Sequence, residues 1–149
     1  MTPGSQHVFR SGDPHCPASA DVIRFVLDKL QQSDDWDWAW IRPVQSAWKN
    51  ANSSQVVQIS VSGDCVLLDI LGFPFGKDYQ QQFRDRAILI PESWEVEKFQ
   101  PHGLLRKGVL SLRVPEHGKD QMSSFILSVL HLLFGAEERC PIEAELLHA

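Results

Sequence analysis

The feature that most constrains the fold is a pair of apolar segments around a glycine turn, QVVQISVSGDCVLLDIL at 55–71. Both halves are rich in the β-branched residues that β-strands favour. The SGD between them supplies turn formers, and glycine adopts tight-turn backbone angles at no steric cost. The segment therefore predicts a β-hairpin, which commits the chain to an antiparallel sheet.

Two helices are predicted on either side of the strand-rich region. The first begins at Ser19, a favourable N-cap, and its apolar residues recur at i, i+3, i+4 and i+7 from Ile23. The second runs from about residue 119 to residue 134 and ends at Gly135. Its apolar positions cover more than half of the helix circumference. We therefore expect it to be deeply buried or shared with a partner.

Shorter patterns complete the order of elements. GVLSLRV (108–114) alternates clearly and SWEVEKF (93–99) weakly, which predicts two more strands, while the polar KDYQQQFRDRA (77–87) is compatible with a short helix. CPIEAELLH (140–148) permits a final short helix from Pro141.

Together these patterns predict one α+β domain over residues 19–149. Residues 1–18 mix Gly, Pro, Ser and His without periodicity, so we expect a flexible N-terminal tail. The domain should contain an antiparallel sheet of about five strands with helices packed on one face, in the order α-βββ-α-ββ-α.

Charge and cysteine content exclude several classes of function. The formal net charge of -5 disfavours nucleic acid as a partner, because an acidic surface repels phosphates. The three cysteines are odd in number and lack CxxC spacing, which fits a reducing compartment. No apolar run approaches the roughly 18 residues of a membrane span, and the N-terminus lacks a signal-peptide core. We expect a cytoplasmic protein that does not contact membranes.

The stretch DWDWAWIRP (35–43) places Trp36, Trp38 and Trp40 at alternate positions, hence on one face of a strand. We favour the interpretation that these rings cover the preceding amphipathic helix, because buried aromatics most often supply core area. A protein-binding surface is the second interpretation, since tryptophan is enriched at interaction hot spots. A platform for a carbohydrate or another small molecule is the third.

Motifs for catalysis, cofactors or metals are not evident. The chain has no GxSxG, HExxH, GxxxxGK[ST] or GxGxxG pattern. His15 beside Cys16 is the most suggestive pair, but adjacent side chains rarely point at each other. Asp69 lies within an apolar strand, where it faces outward or pairs with an arginine such as Arg113; we favour the outward position. We therefore predict no catalytic residue, no metal and no cofactor.

The order of elements resembles the type III secretion chaperone-like fold, which includes class I secretion chaperones and YbjN-type domains. The resemblance covers about residues 20–135 and is one of topology. It depends on the opening helix, the hairpin VVQISVSGDCVLLDIL and the ending GVLSLRVPEHGKDQMSSFILSVLHLLFG. It implies a non-enzymatic dimer that binds extended client segments along its sheet and helices, with dimers often formed through the short middle helix.

We therefore hypothesise a non-enzymatic protein-binding domain, chaperone-like or adaptor-like, with a homodimer as an open alternative. A client strand would add to a sheet edge, with pockets near the tryptophans. Two other hypotheses stay open: a small enzyme with an unrecognised carboxylate or histidine site, and an inhibitor or immunity protein. The predicted partner-binding residues are Trp36, Trp38, Trp40, Phe125 and Leu132.

Overall fold

A single antiparallel sheet with helices on one face makes up the described part of the chain. The computed structural model describes residues 7–10, 19–32, 35–44, 55–74, 79–102, 107–136 and 141–148. The helices are α1 (Ser19–Gln32), α2 (Tyr79–Asp85) and α3 (Met122–Ser128), and α3 lies between a 3-10 turn (Glu116–Gln121) and a π-helical turn (Val129–Leu133). The strands are β1 (His7–Arg10), β2 (Trp38–Pro43), β3 (Val56–Ser62), β4 (Cys65–Pro74), β5 (Glu95–His102), β6 (Lys107–Val114) and β7 (Ile142–Leu147).

The strands pair in the order β1-β7-β2-β3-β4-β6-β5, and all pairings are antiparallel. The predicted hairpin forms β3 and β4, and Ser62 pairs with Cys65 across the turn. In that turn Gly63 has a φ of 61°, the left-handed conformation that glycine adopts freely. The predicted α+β class is confirmed. The described chain has seven strands where about five were predicted, and the additional two are β1 and β7.

The final segment is a strand, so the prediction of a short helix from Pro141 is wrong. Strand β7 lies between β1 and β2, and all six of its residues are buried. Glutamate, alanine and leucine have high intrinsic helix propensities. In the folded chain, pairing with two strands that are distant in sequence overrides this preference. If this segment formed a helix, one edge of β2 would lack its backbone hydrogen bonds.

Part of the predicted tail belongs to the sheet. His7–Arg10 forms β1, which places Arg10 opposite Glu143 and His7 opposite Leu146. Residues 1–6 and 11–18 lie outside the described residues. The N-terminal segment therefore contributes one edge strand.

The core lies between the sheet and the helices. Helix α1 buries the predicted apolar stripe together with Val22. The predicted C-terminal helical segment ends, as expected, before Gly135, whose φ is 82°. Its centre alone is α-helical. The sheet residues on the helix-covered face are Ala39 and Ile41 of β2, Val57 and Ile59 of β3, Val66, Leu68 and Ile70 of β4, Leu110, Leu112 and Val114 of β6, and Ile142, Ala144 and Leu146 of β7.

Candidate partner-binding face of the sheet

The other face of the sheet, which we call the open face, carries the residues that alternate with the core. All three helices contribute side chains to the hydrophobic core cluster, and that cluster contains no residue of the open face. Strand register aligns the open-face residues in rows that cross six strands. One row is Glu145, Trp40, Gln58, Asp69, Ser111 and Lys98, and the next is Leu147, Trp38, Ser60, Leu67, Arg113 and Glu95.

Trp38 and Trp40 are half-buried on the open face. The interpretation that they cover the preceding helix is wrong, because the residues that face the helices from β2 are Ala39 and Ile41, both with 0% of their surface exposed. Alternation requires neighbouring side chains to lie on opposite faces, so the tryptophans point away from α1. Both faces of β2 are apolar, and for this reason the pattern alone did not reveal which one the helices cover.

The two indole N–H groups on this face have different environments. Nε1 of Trp40 donates a hydrogen bond to Oε1 of Gln58 on the neighbouring strand, at 2.8 Å. Nε1 of Trp38 is buried and has no acceptor among the described residues. A buried donor without an acceptor costs about 1–3 kcal/mol. A molecule that covers the face and presents a carbonyl oxygen to Trp38 would remove this cost.

A charge cluster adjoins Trp40. Nε of Arg42 donates to Oε1 of Glu143 at 3.1 Å, and its Nη2 donates to Oε2 of Glu145 at 3.2 Å. The side chains are largely buried, with 26% of Arg42, 12% of Glu143 and 9% of Glu145 exposed. One guanidinium therefore binds two carboxylates, and Arg10 of β1 lies opposite Glu143 in the strand register. Glu145 is the direct cross-strand neighbour of Trp40.

The opposite end of the open face holds an exposed ion pair. Nε of Arg113 donates to Oε1 of Glu97, and Nη1 of Arg113 lies 3.7 Å from Sγ of Cys65. The hydrogen bond and Coulomb attraction of Glu97 raise the pKa of Arg113 above its already high ordinary value. Asp69 lies on the open face opposite Ser111, in the outward position that we favoured. All of these residues except Cys65 line an open depression of about 470 Å³.

Addition of a client strand beside the tryptophans, as we hypothesised, is incompatible with the sheet order. Strand β2 already pairs with β3 and β7, so it has no free edge. The edge strands of the described sheet are β1 and β5. Strand β5 has charged residues, Pro101 and a register shift between Val96 and Lys98, all features that discourage pairing with another chain. A partner of the tryptophans must therefore approach the open face itself.

The other three predicted partner-binding residues lie elsewhere. Trp36 precedes β2, packs against the core and makes an edge contact with His148 at 5.9 Å between ring centroids. Phe125 is 4% exposed and contacts the buried Trp94, with ring centroids 4.8 Å apart, so it is not available on the surface. Leu132 is 38% exposed in the π-helical turn. Of the predicted set, the structure brings only Trp38 and Trp40 together.

Sequence reasoning missed the residues that surround these two rings. Glu143 and Glu145 fell in the segment assigned to a final helix, and Gln58 in a hairpin strand considered only for its apolar residues. The missed signal is the alternation in IEAELL (142–147), where two glutamates share a face and the apolar residues between them share the other. The same period of two had identified β6 correctly.

Histidine and cysteine side chains do not form a metal site in the described ranges. No group of three or more His, Cys, Asp or Glu side chains there is placed to hold a metal ion. Nδ1 of His131 lies 2.6 Å from the carbonyl oxygen of Ala136. Because a carbonyl only accepts, this nitrogen carries the proton. His15 and Cys16 lie outside the described residues.

Comparisons of the chain with protein-family models, curated proteins and solved structures find no match. Within the described ranges, none of the helices has the length and apolar character needed to cross a membrane. The fold and the site together define an α+β domain with an open, tryptophan-bearing sheet face.

Proposed function

We propose that this chain is a protein-binding domain, chaperone-like or adaptor-like, that engages an extended segment of a partner protein on its open face. The observation that carries the proposal is the position of Trp38 and Trp40, which are half-buried on a central strand while all described helices pack on the other side. Tryptophan is enriched among the residues that dominate interface energies.

Three further features favour the binding of a partner on this surface over catalysis in a cleft. Trp38 has a buried N–H that lacks an acceptor among the described residues. The free edges of the described sheet are short or protected, so we place the binding surface on the open face. The polar residues beside Arg113 line an open depression, whereas catalytic sites usually exclude water. An inhibitor or immunity protein would use the same face.

We place this activity in the cytoplasm. Support comes from the cysteine usage and from the free thiol of Cys65.

The test is capture of a partner by the tagged full chain from an extract of its source organism. We compare the wild type with Trp40→Ala and with Leu89→Ala, which removes an apolar side chain that is 86% exposed and lies outside the sheet. Wild type and Leu89→Ala should retain a stoichiometric protein, and Trp40→Ala should lose it, because a hot-spot residue contributes about 2 kcal/mol or roughly 30-fold in affinity.

Circular dichroism must show that Trp40→Ala is folded, and Trp38→Ala serves as the second variant of the face. Equal capture by both tryptophan variants and the wild type would contradict the proposal. If Leu89→Ala were the only variant to lose capture, the partner would bind on the helix side of the sheet. If both tryptophan variants unfold, the rings are structural and the open face is not a binding site.

A further inference from the structure

The end of the open face that lies away from the tryptophans holds the depression of about 470 Å³. This volume lies within the range of about 300–1,000 Å³ that is usual for small-molecule sites. The charged side chains that line it are Asp69 of β4, Glu97 and Lys98 of β5, and Arg113 of β6. These two carboxylates and two cations balance, and Glu95 lies opposite Arg113 outside the lining.

Two of these four charges neutralise each other. Nε of Arg113 donates to Oε1 of Glu97, so this pair is satisfied without a ligand. The side chains of Asp69 and Lys98 make no hydrogen bond or ion pair with another described residue. Within the described ranges, the depression therefore offers one free carboxylate and one free ammonium group.

A buried hydroxyl lies between the two free charges. Strand register places Ser111 directly opposite Asp69 on one side and Lys98 on the other. Its neighbours Leu110 and Leu112 face the core with 0% exposure, so the side chain of Ser111 points into the depression that it lines. Ser111 is 6% exposed, and its hydroxyl has no hydrogen-bond partner among the described residues. A buried polar group of this kind favours a ligand that supplies a partner.

The spacing of the two free charges defines the size of the ligand. Strands β4 and β5 lie two strands apart in the order β4-β6-β5. With about 4.8 Å between neighbouring strands and side chains roughly perpendicular to the sheet, the two charged groups are about 10 Å apart. Two charge-assisted hydrogen bonds of about 2.8 Å leave about 4 Å between the charged atoms of the ligand itself. A free amino acid separates its ammonium nitrogen and its carboxylate by a similar distance, and the flexible lysine stem takes up small differences.

We propose that the depression binds a free amino acid, with its ammonium group at Asp69, its carboxylate at Lys98 and the hydroxyl of Ser111 between them. The half-buried Leu67 and Val109 also line the depression. They provide an apolar surface for the side chain of the ligand, which favours an apolar amino acid such as leucine.

A ligand with a single charge fits this lining less well. An anion would bind Lys98 but leave the carboxylate of Asp69 unsatisfied, and a cation would do the reverse. Unpaired charges of this kind discriminate against the wrong ligand. The site is also separate from the proposed partner surface, because Trp38 and Trp40 lie on β2, two strands beyond β4.

The experiment follows the backbone amide signals of the ¹⁵N-labelled full chain by NMR during titration with L-leucine. Two analogues lack one charge each: leucinamide retains the ammonium group, and N-acetyl-leucine retains the carboxylate. The amides of Asp69, Ser111 and Lys98 report on the site, and that of Ala144 on β7, three strands from β4, is the internal reference. Because the depression is open to solvent, we expect a dissociation constant on the order of 1 mM for leucine.

Each analogue should bind at least about tenfold more weakly than leucine, because each loses one charge-assisted contact. Asp69→Asn should weaken leucine about tenfold, whereas Glu92→Gln, the same change of charge at an exposed position outside the depression, should have little effect. Lys98→Gln and its exposed control Arg84→Gln should differ in the same way.

Ser111→Ala separates a contact with the ligand from a structural role. If the hydroxyl binds the ligand, the variant should bind leucine severalfold more weakly while its urea unfolding midpoint stays unchanged. A lowered midpoint with unchanged affinity for leucine would contradict the assignment of this hydroxyl to the ligand.

The absence of amide shifts at about 20 mM leucine, well above the expected dissociation constant, would overturn the inference. Equal binding of leucine and either analogue would do the same. Equal weakening by Asp69→Asn and Glu92→Gln would also overturn it, because net charge alone would then explain the binding. Trp40→Ala should leave the affinity for leucine unchanged, so these outcomes are distinguishable from failure of the proposed function, which partner capture tests.

Discussion

Replacing Arg42 with methionine tests the charge cluster of the open face most directly. Methionine keeps the apolar stem and removes the guanidinium, which leaves Glu145 without its described partner next to a second carboxylate. Removing one member of a fully buried ion pair costs 3–5 kcal/mol. Because 26% of the Arg42 side chain is exposed, we expect the lower figure of about 2–3 kcal/mol in the free energy of unfolding.

Arg113→Met is the matched control. It breaks the ion pair with Glu97, in which 47% and 37% of the two side chains are exposed, and exposed pairs contribute about 0.2–1 kcal/mol. Glu145→Gln should cost about 1 kcal/mol or less, since Arg42 then forms a balanced pair with Glu143. The free energies come from urea unfolding followed by circular dichroism, with m-values that stay unchanged. If Arg42→Met costs no more than Arg113→Met, or if Glu145→Gln costs as much as Arg42→Met, this account of the cluster is refuted.

Two further predictions concern the helix side, and both use the same unfolding assay. Gly118→Ala places a Cβ 2.7 Å from Nε1 of Trp94 and should lower the free energy of unfolding by about 2 kcal/mol through overpacking. The Cβ of Gly63→Ala meets no atom within 4 Å, so this variant should lose only about 1 kcal/mol, from backbone strain. Equal costs would contradict the close approach. Phe125→Ala should lower the free energy of unfolding by about 3–5 kcal/mol because the ring is buried, and Leu132→Ala by less than about 1 kcal/mol because its side chain is exposed. A small effect of Phe125→Ala would mean that Phe125 is a surface residue after all.

Local signals allowed several elements to be predicted without the structure. The apolar stripe of α1, the β3–β4 hairpin and the alternation of β6 each reflect short-range periodicity, and Gly135 ends its helix through its own backbone freedom. The outward position of Asp69 follows from the same alternation. These features depend on residues within one element or its neighbour along the chain.

Tertiary structure alone decided the rest, because the contacts involved join distant parts of the chain. Strand β7 pairs with β2, about a hundred residues away, and with β1, which is still more distant in the chain, and this pairing overrode the helical preference of its residues. Alternation showed that Trp38 and Trp40 share a face, but both faces of β2 are apolar, so the side covered by the helices depends on the assembled sheet. The candidate site has the same origin: Trp40, Gln58, Asp69 and Glu145 lie on four strands, and only strand register brings them into one row.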